Sequence, residues 1–155
     1  MAFFSINITR NGLLLMLGFN ALFFFLLIAT SCSSENLSTG EDAKLYVQQH
    51  ISGSDAMVFA KSYCPYCKAT RSLLMQLQEE SKTSWTLNIV DLDLMPEDDG
   101  PFLQMELLIA TNQKTVPSIF IGGEHVGGNL ELQALYNSGN LEKTLEAAAQ
   151  QRRHK

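Results

Sequence analysis

The sequence predicts an α/β domain in which a parallel pair of strands is extended by an antiparallel hairpin, with helices on both faces of the sheet. Three observations carry this. The short apolar run Ala56-Met57-Val58-Phe59-Ala60 has the composition of a buried strand. Helix-spaced Ala69, Leu73 and Leu77 follow it, and then the alternating Trp85, Leu87 and Ile89. Strand, helix and strand make a crossover unit, so the two strands run parallel. Finally, Gly122-Gly123 separates Ser118–Ile121 from Glu124–Val126, the signal of a tight hairpin.

Taken in order, the chain opens with a segment unlike the rest. Six of the nine Phe fall in the first 25 residues, and residues 1–31 carry one charge, Arg10. Residues 13–29 form a 17-residue apolar stretch interrupted only by Gly18 and Asn20. As a helix it would span about 26 Å, longer than a usual signal-peptide core and at the short limit for a membrane span. Residues 1–31 therefore read as a signal peptide or a signal anchor. Arg10 on the near flank keeps the N-terminus cytosolic and sends the remainder to the non-cytosolic side, lumenal or secreted, and membrane-anchored if the segment is retained. Cys32 at the boundary reads as an incidental thiol. Residues 32–37 read as a polar linker, residues 38–150 as the folded domain and residues 151–155 as a fraying basic tail. Beyond residue 31 the net charge is −6, which gives no reason to expect nucleic acid.

Within the domain, Ser38-Thr39-Gly40-Glu41 fits a capping box, and Ala43, Tyr46, Val47, His50 and Ile51 share one face of the helix it starts. The helix after Cys67 extends to about Glu80. Val90 and Leu92 prolong the second strand, and Asp91 and Asp93 stand at its solvated end. Residues 96–101 read as an acidic loop. Leu103, Leu107 and Ala110 mark a third helix ending near Asn112. After the hairpin, Leu132 and Leu135 mark a short helix; Leu141, Leu145 and Ala148 mark the last.

The chemistry concentrates in Lys61-Ser62-Tyr63-Cys64-Pro65-Tyr66-Cys67-Lys68, where the first strand ends and a helix begins. Pro65 suits the first helical position, which needs no backbone N–H. Cys64 then caps the helix, beside unpaired N–H groups and the positive end of the dipole. A thiolate is stabilised there, so the thiol pKa falls, into the range of roughly 3.5–7.5. Lys61 and Lys68 add positive charge, and Cys67 is close enough to close a disulfide with Cys64. A structural zinc site would need four ligands; Cys32 and three scattered His are all that remain, so no metal is expected.

Cys-Pro-Tyr-Cys preceded by Lys-Ser-Tyr resembles the active site of the dithiol glutaredoxins. Thioredoxins carry Cys-Gly-Pro-Cys after a Trp, and Tyr63 stands in that place. The resemblance covers residues 38–150. It implies a thioredoxin-like fold, a four-stranded mixed sheet with helices on both faces. It further implies a monomeric glutathione-dependent thiol–disulfide oxidoreductase that takes glutathione as co-substrate and acts on glutathionylated or disulfide-bonded proteins. Cys64 and Cys67 are the implied catalytic pair. Lys61 and, on the third helix, Gln104 match the family's contacts to the glycine carboxylate of glutathione; Tyr66 matches the tyrosine between the cysteines. Thr115-Val116-Pro117 matches the family's Thr-Val-Pro, whose cis proline exposes the backbone of Val116 to the cysteinyl part of glutathione. Gly128, Asn129 and Leu130 match the turn that holds the γ-glutamyl end, with Asn129 as a good helix cap. At Leu130 the family typically has an Asp that meets the glutathione ammonium. Its loss implies glutathione binding weaker by about 1 kcal/mol, unless Glu131 takes its place. Some relatives instead bridge a [2Fe–2S] cluster; these commonly have Gly or Ser after the first cysteine, and Pro65 disfavours that role.

Overall fold

The computed structural model describes residues 39–96 and 99–154. The expectations for residues 1–31, for Cys32 and for the linker fall outside the described residues. Among the described residues no helix is long and apolar enough to cross a membrane.

Among the described residues the first helix, α1 (Gly40–Ser52), leads into β1 (Ala56–Ala60), α2 (Pro65–Glu80) and β2 (Leu87–Asp91). A single 3-10 turn, Leu92–Leu94, connects to α3 (Asp99–Thr111); β3 (Ser118–Ile121), β4 (Glu124–Gly127), α4 (Asn129–Asn137) and α5 (Leu141–Arg153) follow. The four strands form one sheet in the order β2-β1-β3-β4. β1 runs parallel to β2, with Ala60 opposite Asp91, and antiparallel to β3. This is the mixed sheet of the thioredoxin-like fold.

β1 is buried along its whole length because helices cover both faces of the sheet, which is why it reads as an unbroken apolar run. Its alternation sorts the core into two halves. Ala56, Val58 and Ala60 pack with Cys67, Leu74 and Leu77 of α2 and with Leu132, Leu141 and Leu145 of α4 and α5. Met57 and Phe59 point the other way, with Phe120, onto Ala43 and Val47 of α1 and Leu103 and Leu107 of α3.

Several boundaries differ from the sequence reading. The capping box of α1 lies one residue later: the Asp42 N–H donates to Thr39 Oγ1 at 3.2 Å, and the Thr39 N–H to Asp42 Oδ2 at 3.0 Å. A three-residue spacing is satisfied by either pair, and only the chain's entry angle chooses. On α2 the buried residues are Cys67, Thr70, Leu74 and Leu77, while Ala69 is exposed. Strict four-residue steps drift off one face of a 3.6-residue helix, whereas steps of three and four track it. α3 starts at Asp99 rather than after Pro101; a proline is tolerated in the first turn, where no N–H is needed. Gly100 is required there, since a β-carbon would collide with the Leu92 carbonyl. Ala110, expected inside, is exposed.

Of the basic tail, residues 151–153 are helical rather than frayed. α5 continues through Arg153, and Arg152 donates to the Gly53 carbonyl at 2.7 Å and to Asp55 Oδ2 at 2.9 Å. Arg153 donates to the Ser84 carbonyl at 2.8 Å. The last turn of α5 thus ties down the loops that enter β1 and β2.

Candidate active site

The end of β1 delivers the chain to Cys64, which has extended backbone (φ −73°, ψ 122°) and occupies the N-cap of α2 with Pro65 in the first helical turn. The Cys67 N–H donates to Cys64 Sγ at 3.4 Å. This is the orphan-donor arrangement expected at a helix start, with sulfur in place of the usual capping oxygen. The Cys64 thiol itself stands 3.8 Å from the Val116 carbonyl. Both cysteines are free thiols.

Their environments differ. Cys64 is half-buried, whereas Cys67 is 1% exposed. Burial pushes the Cys67 thiol up to about 12, reinforced by its hydrogen bond with Cys64 and by the charges of Cys64 and Asp91. The Lys61 N–H, which donates to Cys67 Sγ at 3.5 Å, opposes this. One sulfur is open to attack a substrate; the other keeps its proton.

The loop before Cys64 is anchored from β2's end. Asp93 accepts the Ser62 N–H at 2.8 Å and also the Ser62 hydroxyl. The two Ser62 donors, the hydroxyl first, hold the Asp93 carboxyl below the usual range. Asp91 accepts two hydrogen bonds from Arg71 Nη2, at 2.7 and 2.8 Å. Among the described residues no group of three or more His, Cys, Asp and Glu is placed to hold a metal ion.

Beside the cysteines lies an open groove of about 500 Å³, within the roughly 300–1,000 Å³ typical of small-molecule sites. Tyr66, 61% exposed, lines it from α2. Thr115, Val116 and Pro117 line it from the loop before β3, and the Val116–Pro117 bond is cis. Gly128, Asn129 and Leu130 line it from the start of α4. Lys61 and Gln104 do not line the groove. The Gln104 side chain donates to the Lys114 carbonyl at 3.0 Å, which braces the same loop from α3.

These features have counterparts in known proteins. Residues 56–126 match the protein-family model described as Glutaredoxin. The chain is 40% identical over 98 residues to a glutaredoxin of Ricinus communis, a match covering 63% of this chain and 88% of that protein. The chain belongs to the glutaredoxin family. It is also 35% identical over 101 residues to Glutaredoxin-1 of Saccharomyces cerevisiae, covering 65% of this chain and 88% of that one. Among solved structures, the buckwheat glutaredoxin–glutathione complex superposes with a TM-score of 0.63 at 33% identity, over 70% of this chain and 92% of that chain. Wheat glutaredoxin gives 0.63 at 32% identity, over 72% and 99%.

Two groove residues of this glutaredoxin carry roles that the sequence does not announce. Gln113 donates through Nε2 to the carbonyls of Thr115 and Pro117, both at 2.8 Å, and so brackets Val116. An amide four residues before a proline carries no sequence signal that would reveal it. Glu131 enters the sequence reading only as a partner for an ammonium group. Its Oε2 accepts the Gly128 N–H at 2.8 Å, which makes Gly128, rather than Asn129, the N-cap of α4. Donation from backbone N–H groups, its own and that of Gly128, holds the Glu131 carboxyl below its ordinary range. A small residue followed by Glu at three-residue spacing was the available clue. Asn129 is instead the first helical residue, and its Oδ1 accepts the hydroxyl of Thr70 on α2 at 3.1 Å.

Proposed function

We propose that Cys64 of this glutathione-dependent oxidoreductase attacks the glutathionyl sulfur of a protein–glutathione mixed disulfide. The Cys64–glutathione disulfide forms, the protein–glutathione bond breaks, and the protein thiolate leaves and takes a proton. The thiolate of a second glutathione then attacks the glutathione sulfur bound to Cys64. It releases oxidised glutathione and restores the Cys64 thiolate. On disulfide substrates Cys64 attacks one sulfur, forming a Cys64–substrate disulfide and releasing the other sulfur as a thiolate; Cys67 then gives up its proton and attacks Cys64 Sγ, expelling the second substrate thiolate. Two glutathiones then reduce the Cys64–Cys67 disulfide. The observation that carries this reading is the half-buried Cys64 sulfur at the N-terminus of α2, set against a carbonyl of the groove wall.

Glutathione occupies the groove in this reading. Its cysteinyl backbone pairs with Val116 between Thr115 and Pro117, and its γ-glutamyl carboxylate meets the Gly128–Leu130 turn at the start of α4 through the N–H groups of Asn129 and Leu130, the Gly128 N–H being held by Glu131. Tyr66 flanks the sulfur, and Lys61 and Gln104 serve the glycine carboxylate at the outer end. The likeness to a buckwheat glutaredoxin solved in complex with glutathione supports the choice of ligand. The cluster-bridging alternative is not favoured, since Pro65 stands after the first cysteine. The protein works as a monomer, and the apolar stretch 13–29 carries the domain to the non-cytosolic side, as a cleaved signal or a retained anchor. Intact mass of the mature protein from its membrane and soluble fractions tests that placement.

Release of glutathione from a glutathionylated peptide tests the assignment of roles. Cys67→Ser retains the activity and Cys64→Ser abolishes it. The opposite pattern would exchange the two cysteines.

A further inference from the structure

We infer that the side-chain amide of Asn129, held in one orientation by the buried hydroxyl of Thr70, is a hydrogen-bond donor to the γ-glutamyl carboxylate. This deepens the proposed function and rests on its placement of glutathione in the groove. Thr70 lies on α2 three residues beyond Cys67 and is fully buried. A helical threonine can return its hydroxyl hydrogen to the carbonyl four residues earlier. Here it donates across the interface to Asn129 Oδ1 at 3.1 Å.

An asparagine amide has one accepting and one donating end, and here the accepting end is the one turned to Thr70, which leaves the donating end for a ligand. With Oδ1 committed to Thr70, Nδ2 has no hydrogen-bond partner among the described residues, and it is not among their buried unsatisfied atoms. Asn129 is half-buried and lines the groove. Its backbone N–H belongs to the first turn of α4, where no intrahelical partner exists. The neighbouring Gly128 N–H is already taken by Glu131, so the groove has lost one of its backbone donors to an internal carboxylate. A side-chain N–H from Asn129 restores the count. The bond also ties the catalytic helix to the ligand-binding end of α4, which keeps the spacing between the Cys64 sulfur and that donor constant.

Three variants test this, with kinetics of glutathione in reducing a glutathionylated peptide and with Cys64 alkylation by iodoacetamide as a glutathione-independent measure. Thr70→Val keeps the shape and removes the donor. It should raise the KM for glutathione about threefold to tenfold, the scale of one hydrogen bond, while the alkylation rate holds. Thr70→Ser should restore the KM. Asn129→Asp still accepts from Thr70 but presents a carboxylate to the ligand, and should raise the KM by about tenfold or more. That increase should shrink for a glutathione analogue whose γ-glutamyl carboxylate is an amide. An unchanged KM in Thr70→Val, no rescue by Thr70→Ser, or an equal Asn129→Asp penalty for glutathione and the analogue would each overturn the inference. Failure of the underlying reading looks different: the unaltered protein would show no saturation with glutathione, or Cys64→Ser would remain active.

Discussion

Exposing the reduced protein to iodoacetamide at pH 8 should modify Cys64 and leave Cys67 untouched. Only the thiolate reacts. With its thiol pushed up to about 12, Cys67 is ionised to about one part in 10⁴ at that pH, against roughly a quarter for an ordinary cysteine with pKa of about 8.5. Its alkylation should therefore run about 10³-fold slower than that of an unfolded thiol, before its 1% exposure slows it further. Intact mass against time, with peptide mapping, reads the order directly, and a denatured control supplies the unfolded rate. The reasoning is refuted if Cys67 reacts within tenfold of that control, or if it reacts first. The same proton has a signature in stability. The folded state holds it to higher pH than the unfolded chain does, so the contribution is complete below the ordinary thiol pKa. It is lost as the pH climbs from there to about 12. Part of the elevation comes from Cys64, so a Cys64–substrate disulfide, whose Cys64 sulfur carries no charge, leaves Cys67 easier to deprotonate just when it is needed as the second nucleophile.

Asp93→Ala should lower kcat/KM by about twofold to fivefold with little change in melting temperature, because the Ser62 loop loses both its bonds while the core is untouched. Asp93 has a depressed folded pKa; its hold on the loop is present above the ordinary carboxylate range and lost as pH falls through the folded value, so the parent's activity should drop there and the variant's should not. Arg152→Ala should cost about 2 kcal/mol in urea unfolding and Asp55→Asn should recover part of it. Asp55 is 1% exposed, while Arg152 keeps 38% in solvent, which places the cost below the roughly 3–5 kcal/mol of a fully buried pair. Leu130→Asp should lower the glutathione KM about fivefold, the equivalent of about 1 kcal/mol; no fall would count against the weaker binding ascribed to Leu130, whose side chain is 76% exposed beside the groove.

The sequence was most legible where one local cause sets the structure. Ala56–Ala60 reads as a buried strand and Cys64-Pro65 as the start of a helix, because a proline at the first turn and a capping side chain are decided by neighbouring residues. Legibility failed where two solutions were locally equivalent. Thr39 and Ser38 compete as caps for α1, and Gly128 and Asn129 for α4; in the second case Glu131 reaching back to the Gly128 N–H settles the matter. It failed also for the last turn of α5, whose basic residues look like any loose terminus until Asp55, 97 positions earlier, supplies the carboxylate.

The sequence by itself therefore determined the order of elements, the hairpin and the identity and spacing of the reactive thiols, since each depends on side chains within about one helical turn of one another. Only the tertiary structure decided which thiol is sealed, how Gln113 brackets Val116, and that Thr70 and Asn129 meet. Burial and hydrogen bonding between segments 59 residues apart depend on how helices pack across a sheet, and no local pattern encodes that distance.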